Sequence, residues 1–170
     1  MTCCAQSLGD QHNVEAFDCR VESLNSWLKR EARRARRANT ARTYVWTKQA
    51  DREVVSYFSI APTVVAPDEL SRNQKAGYTV PIPGYLLARL ALDVKLHGQG
   101  LGTQLLVDAV SRIVGAADAY GGRLIVVDAI DGHAVAFYQR HDFTPVIGNP
   151  NRLVLKIATV RRTMGVTAVS

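Results

Sequence analysis

The chain has 170 residues, 47% of them hydrophobic, which is enough for a single domain to bury a full core. No apolar run reaches membrane-spanning length, and the opening "MTCCAQSLGDQHNVEA" lacks the basic-then-apolar pattern of a secretory signal. The net charge of +6 is localised: "KREARRARRANTAR" (29–42) sets Lys29, Arg30, Arg33, Arg34, Arg36, Arg37 and Arg42 against the single acid Glu31, and the rest of the chain is balanced. A basic patch on a neutral body points to a polyanionic partner. Cys3, Cys4 and Cys19 are an odd number without C-x-x-C spacing, which fits a reducing cytoplasm better than a disulfide framework.

In chain order, residues 1–13 are expected to be a flexible end. From Glu22 to Arg37, Leu24, Trp27, Leu28, Ala32 and Ala35 recur at helical spacing, and Arg30, Arg33, Arg34 and Arg37 fall together on another face. "TYVWTK" (43–48) and "EVVSYFSIA" (53–61) read as strands joined by a short "QAD" turn. Residues 62–84, rich in proline, form a long connection with a short helical turn near Asp68. "YLLARLALDV" (85–94) is an almost continuously apolar strand, expected to be buried on both faces. A helix follows with Leu101, Leu105, Leu106, Ala109, Val110 and Ile113 on one side. "RLIVVDA" (123–129) is a second buried strand, 131–141 a short helix, and "FTPV" and "RLVLKIATV" are strands. Residues 161–170 are expected to be flexible. This order defines an α/β fold with a mixed sheet.

"VKLHGQGLGTQLL" (94–106) carries the chemistry. Gly98, Gly100 and Gly102 alternate between a strand and a helix, where glycine lets backbone approach a ligand and the helix N-terminus offers free N–H groups to an anion. The same pattern also suits a plain flexible turn. The spacing is G-x-G-x-G, not the dinucleotide G-x-G-x-x-G, and no P-loop lysine follows Gly102. His12, His97, His133 and His141 never pair at i+4, so no metal is expected. There is no G-x-S-x-G elbow. A phosphate-binding turn survives these exclusions.

"LALDVKLHGQGLGTQLLVDAV" followed by "RLIVVDAIDGHAVAFYQRHDFTPV" resembles the GNAT superfamily of acetyl-CoA-dependent N-acetyltransferases. The opening "FDCRVESLNSWLKREARRARRANTARTYVW", with "ARLALD" before the glycines, is similar to the TacT/AtaT-type toxins of bacterial toxin–antitoxin pairs. The resemblance runs from Phe17 to about Leu155. It implies the GNAT fold, a mixed central sheet flanked by helices in one domain. It also implies acetylation of the α-amine of aminoacyl-tRNA, which blocks translation, a homodimer, and a ribbon-helix-helix antitoxin that reaches operator DNA as a complex. His97 stands where the family has Arg or Gln, either donating to a phosphate or pointing outward. His141-Asp142-Phe143 replaces F-G-F, with Asp142 able to take the left-handed position.

On this reading the N–H groups of Gln99, Gly100, Leu101, Gly102 and Thr103 hold the pyrophosphate of acetyl-CoA. The pantetheine arm pairs with backbone along Leu92, Asp93 and Val94. Tyr138, beside Phe137, is the candidate acid for the departing thiolate; its alternative is a core residue. The Val94 N–H is a candidate oxyanion donor. No clear general base emerges, with Asp93 the one carboxylate on the right strand, and an esterified amino acid's amine is largely neutral without one. Lys29 and the six arginines of the run suit tRNA phosphates, or an acidic antitoxin tail on the same face. The alternatives are an acetyltransferase of a small amine or protein N-terminus, and a non-enzymatic nucleic-acid binder on the same fold.

Overall fold

The runs rich in β-branched and aromatic residues pair edge to edge into a seven-stranded mixed sheet in the order β1-β2-β3-β4-β5-β7-β6. The computed structural model describes residues 5–48 and 52–163. The QAD turn at 49–51, Cys3 and Cys4, and the end from 164 onward lie outside the described residues. The strands are β1 (Gln6–Ser7), β2 (Arg42–Thr47), β3 (Val54–Val65), β4 (Ile82–Leu92), β5 (Leu124–Asp128), β6 (Thr144–Val146) and β7 (Asn149–Lys156). The helices are α1 (Glu22–Ser26), α2 (Ala32–Ala38), α3 (Arg72–Lys75), α4 (Leu101–Tyr120), α5 (Gly132–Arg140) and α6 (Ile157–Thr163). Two compact units divide the chain, Met1–Ala61 with Ala88–Val110, and Pro62–Leu87 with Ser111–Ser170.

In the first unit β1 and β2 run antiparallel with Gln6 opposite Val45, and β2 and β3 antiparallel with Tyr44 opposite Phe58. The helical run is not one regular helix. A π turn, Trp27–Glu31, joins α1 to α2 without leaving the helical path. Leu28 and Ala32 still reach the core with Leu8, Val14, Phe17, Val45, Tyr57 and Ala91, while Leu24 and Trp27 pack at its margin. The helix stops at Asn39, left-handed at φ 60°, a conformation Asn tolerates better than most residues.

The expected looseness of residues 1–13 does not hold for the described part. Leu8 is buried, the Asn13 N–H bonds the Arg52 carbonyl, and the Val54 N–H returns to the Asn13 carbonyl, each at 2.9 Å. The Ala5 N–H and the Trp46 indole N–H both donate to Asp108 Oδ2 at 3.0 Å.

In the second unit β4 and β5 are parallel from Gly84 opposite Leu124 to Leu87 opposite Val127, and β5 and β7 are antiparallel. Val65, Leu70, Ile82, Leu124, Val126, Val146 and Val154 form its core. Gly84 is required there, because a Cβ would sit 2.5 Å from the Leu124 carbonyl oxygen. The 62–84 connection is more ordered than its prolines suggest. β3 continues to Val65, Pro67–Glu69 makes the helical turn expected near Asp68, and α3 follows. Ser71 and Gln74 close a reciprocal capping box, and Gln74 Nε2 then donates to Thr144 Oγ1 and the Pro145 carbonyl at 2.9 Å.

Two strand expectations need correction. β5 is buried from Leu124 to Val127, but β4 is half-exposed at Leu86, Ala88, Arg89, Leu90 and Leu92, so it is not sealed on both faces. "RLVLKIATV" is a strand only to Lys156. Ile157 and Val160, three apart and both buried, turn the rest into α6, and Arg161 pairs with Asp118. The expected looseness from 161 onward therefore fails as far as Thr163.

Candidate active site

β4 runs out at Leu92 into a tightly bonded turn. Asp93, 2% exposed, accepts from the N–H groups of Lys95 at 3.0 Å and Asp18 at 3.1 Å. The Val94 N–H donates to the Asp18 carbonyl at 2.8 Å. The Asp18 carboxylate in turn accepts from the Arg20 N–H at 2.8 Å and Asn25 Nδ2 at 3.0 Å, which holds its pKa below the usual carboxylate value. Asn25 Oδ1 takes the Cys19 N–H at 2.9 Å. Loop 18–20, with Arg20 left-handed at φ 66°, thus braces the end of β4.

This bracing corrects three expectations. The Val94 N–H is spent on Asp18 and is no oxyanion donor. Asp93, its carboxylate engaged by two backbone donors and shut from solvent, is a positioning residue and not a base. His97, expected to donate to a phosphate or to point outward, is exposed but tethered: its Nε2–H donates to the Leu92 carbonyl at 2.7 Å. A carbonyl can only accept, so the proton sits on Nε2. The Leu92 carbonyl and Val94 N–H expected to meet the pantetheine arm are therefore both engaged.

The turn then opens. Gly98 and Gly100 have φ of +76° and +73°, where a side chain would be strained, and α4 begins at Leu101. The N–H groups of Gly98, Gln99, Gly100, Leu101 and Gly102 enter no hydrogen bond among the described residues. Thr103 follows in the first turn of α4. A Cβ built on Gly98 or Gly100 meets nothing within 4 Å, so the glycines face open space and not packed protein. Five free donors at the positive end of a 20-residue helix suit the pyrophosphate of a nucleotide cofactor.

In the second unit Asp131 caps α5 by accepting the Ala134 N–H at 2.9 Å. Tyr138 is 8% exposed, its ring edge-on to Phe137 at 5.2 Å and to Phe143 at 5.4 Å. Its hydroxyl makes no hydrogen bond among the described residues, although a core tyrosine ordinarily finds a partner. Burial pushes the phenol well above its ordinary pKa of 10. Phe137 is half-exposed against His141, and Asp142 takes the left-handed position at φ 72° as expected.

The basic run divides by role. Arg33 donates to the carbonyls of Gly9 at 3.2 Å and His12 at 2.7 Å, and Arg36 to that of Leu8 at 3.0 Å. These two bind the chain's own backbone, which removes Arg33 from the expected four-arginine face. Arg34 pairs with Glu31 at 3.6 Å, and Arg42 bonds Asn39 Oδ1 at 2.7 Å. Lys29, Arg30 and Arg37 have no hydrogen-bond or ion-pair partner among the described residues.

An α/β sheet with a glycine turn of free donors at a helix N-terminus defines a nucleotide-cofactor-binding α/β protein. Residues 9–160 match the family described as "Acetyltransferase (GNAT) domain", and the chain belongs to that family of acetyltransferases. It is 34% identical over 158 residues to the "tRNA-acetylating toxin" of Mycobacterium tuberculosis (strain ATCC 25618 / H37Rv), covering 93% of this chain and 94% of that protein. AtaT complexed with acetyl-methionyl-tRNAfMet is 28% identical with a TM-score of 0.86, covering 94% of this chain and 98% of that one. A tyrosine-to-phenylalanine mutant of AtaT, bound to the C-terminus of the antitoxin AtaR and acetyl-CoA, is 27% identical with a TM-score of 0.81, covering 94% and 96%.

Proposed function

We propose that this chain is a toxin that transfers acetyl from acetyl-CoA to the α-amine of aminoacyl-tRNA and so withdraws that tRNA from translation. The observation that carries the cofactor half is the set of five unpaired N–H groups from Gly98 to Gly102 at the head of α4. They neutralise a pyrophosphate without a charged side chain, and Thr103 extends the same turn. The acceptor half is supported by Lys29, Arg30 and Arg37, free cations on one helical run, and by the tRNA-acetylating relatives. Pantetheine pairing at Leu92 exchanges the His97 imidazole for a pantetheine amide at the same carbonyl.

Aminolysis forms a C–N bond and breaks the C–S bond of the thioester. The neutral amine attacks, its surplus proton passes to solvent, and the thiolate leaves. Tyr138 directs its phenolic hydrogen at that sulfur as a hydrogen bond while the C–S bond breaks, and the departing thiolate takes its proton from solvent. The raised pKa of Tyr138 keeps it protonated at neutral pH but makes it a weaker acid than a free phenol, so its main contribution is a hydrogen bond to the developing charge. A ribbon-helix-helix antitoxin neutralises the enzyme, and the complex binds operator DNA. The enzyme works in the cytoplasm as a homodimer.

The test is incubation with acetyl-CoA and total charged tRNA, followed by nuclease digestion and identification of the nucleoside esters. An N-acetylated aminoacyl-adenosine supports the reading. Acetylation only of free amines or protein N-termini would transfer it to the small-acceptor alternative.

A further inference from the structure

Among the cations of the first unit that lie outside the basic run, Arg89 has an unusual setting. Arg89 projects from β4, and its guanidinium carbon lies 4.6 Å from the centre of the Trp27 ring. Trp27 opens the π turn and stacks on Tyr57 at 6.0 Å with the rings 11° from parallel. The Tyr57 hydroxyl is fixed on the Leu24 carbonyl at 2.7 Å. The aromatic platform is therefore anchored to both the helix and the sheet. A π turn sacrifices regular helical bonding and recurs at functional sites, and this one begins at the residue that carries Arg89.

Arg89 is half-buried, yet its one hydrogen bond is to the carbonyl of its own neighbour Ala88 at 3.1 Å, and no acid pairs with it among the described residues. A guanidinium is a cation, and partial burial of a charge without an opposite one is unfavourable. Stacking on indole recovers part of that cost, and the guanidinium N–H groups other than the one given to Ala88 stay unused among the described residues. Such a cation is prepared for an anion that arrives with a ligand.

Its position selects the anion. Arg89 lies four residues before Asp93, about 13 Å along the strand from the start of the cofactor turn, which is within the reach of an aminoacylated nucleotide. Trp27 leads directly into Lys29 and Arg30, so the platform stands at the head of the free cations proposed for the tRNA backbone. We infer that Arg89, held on Trp27, binds the phosphodiester adjoining the aminoacylated terminal nucleoside of tRNA and thereby sets where the α-amine stops. This rests on the aminoacyl-tRNA reading above. A planar fork matches a phosphate through two parallel hydrogen bonds, which a lysine cannot reproduce.

The test compares wild type, Arg89→Gln and Arg89→Lys on three acceptors: aminoacyl-tRNA, 3′-aminoacyl-adenosine, and 3′-aminoacyl-adenosine carrying a 5′-phosphate. Arg89→Gln should lower kcat/KM about ten- to hundredfold on the tRNA and the phosphorylated nucleoside, chiefly through KM, and leave the unphosphorylated nucleoside unchanged. Arg89→Lys should recover part of the loss. Calorimetry should show unaltered acetyl-CoA affinity. Equal loss on all three acceptors, no loss on any, or weakened acetyl-CoA binding (which would assign the phosphate to the cofactor) overturns the inference. A wild type active on aminoacyl-tRNA with an equally active Gln variant overturns the inference alone. A wild type silent on every acceptor overturns the functional reading and the inference together.

Discussion

Neutralising two arginines three positions apart should have opposite consequences, although the sequence presents them as one face. Arg30 is exposed and has no partner among the described residues, whereas Arg33 donates from one nitrogen to the Gly9 and His12 carbonyls. In the triple variant Lys29→Gln, Arg30→Gln, Arg37→Gln, no internal bond is lost, so the melting temperature should stay within a degree or two. Each lost phosphate contact flattens the log–log salt dependence of tRNA binding by about 0.7–0.9, so three give about 2–3. Arg33→Gln strips a partner from two carbonyls of the segment that caps the first core. That should cost about 1–3 kcal/mol of stability, or several degrees, while leaving the salt slope unchanged. The assays are filter binding of charged tRNA from about 50 to 200 mM salt and thermal melting of the same preparations. A slope lowered as much by Arg33→Gln as by Arg30→Gln would refute the division of the run into fasteners and free cations. An unchanged slope in the triple variant would remove tRNA from this face and leave an acidic antitoxin segment as its occupant.

Three further outcomes follow from the same geometry. Tyr138→Phe deletes a hydroxyl that has no hydrogen bond among the described residues, so stability and acetyl-CoA affinity should hold while single-turnover acetylation falls roughly 10²–10⁴-fold; wild-type turnover would return Tyr138 to the core. Gly100→Ala meets no atom in the free protein but carries a positive φ, so it should cost only about 1–2 kcal/mol of stability. Acetyl-CoA affinity by calorimetry should fall at least about tenfold, because the new methyl occupies the approach to the pyrophosphate. His97→Ala frees the Leu92 carbonyl and should raise acetyl-CoA affinity up to about fivefold, the worth of one hydrogen bond no longer broken on binding; a fall would place the imidazole on the cofactor.

Where the sequence alone succeeded and failed follows from the range of the interactions involved. The face of α4 was legible because Leu105, Leu106, Ala109 and Ile113 repeat at a local period, and all four are buried. The left-handed place of Asp142 was legible for the same reason, since a short side chain at a helix end carries its own conformational bias. Ser71-Arg-Asn-Gln74 spelled a capping box that the surrounding prolines masked. The α6 helix was missed because Thr159 and Val160 favour strands locally, and packing of Ile157 and Val160 overrode them.

The site was harder to read because its decisive bonds span long separations in the chain. Nothing near Val94 announces that its N–H is taken by Asp18, 76 residues earlier, and nothing near Arg33 shows that its partners lie at Gly9 and His12. A run of like charges looks uniform because composition records charge and not partners. Folding divides it: cations that reach an internal carbonyl secure the first core, and only those left over remain available to a phosphate chain. Arg89 shows the converse, a single arginine within an apolar strand that composition passes over. Its half-burial, its stacking on Trp27 and the lack of an acid beside it among the described residues are what the proposed phosphate contact rests on, and no member of the run combines them. On the proposed reading, charge density brings a polyanion to this surface, whereas stopping its last nucleotide at a fixed distance from a thioester calls for a cation held in place, as Trp27 holds Arg89.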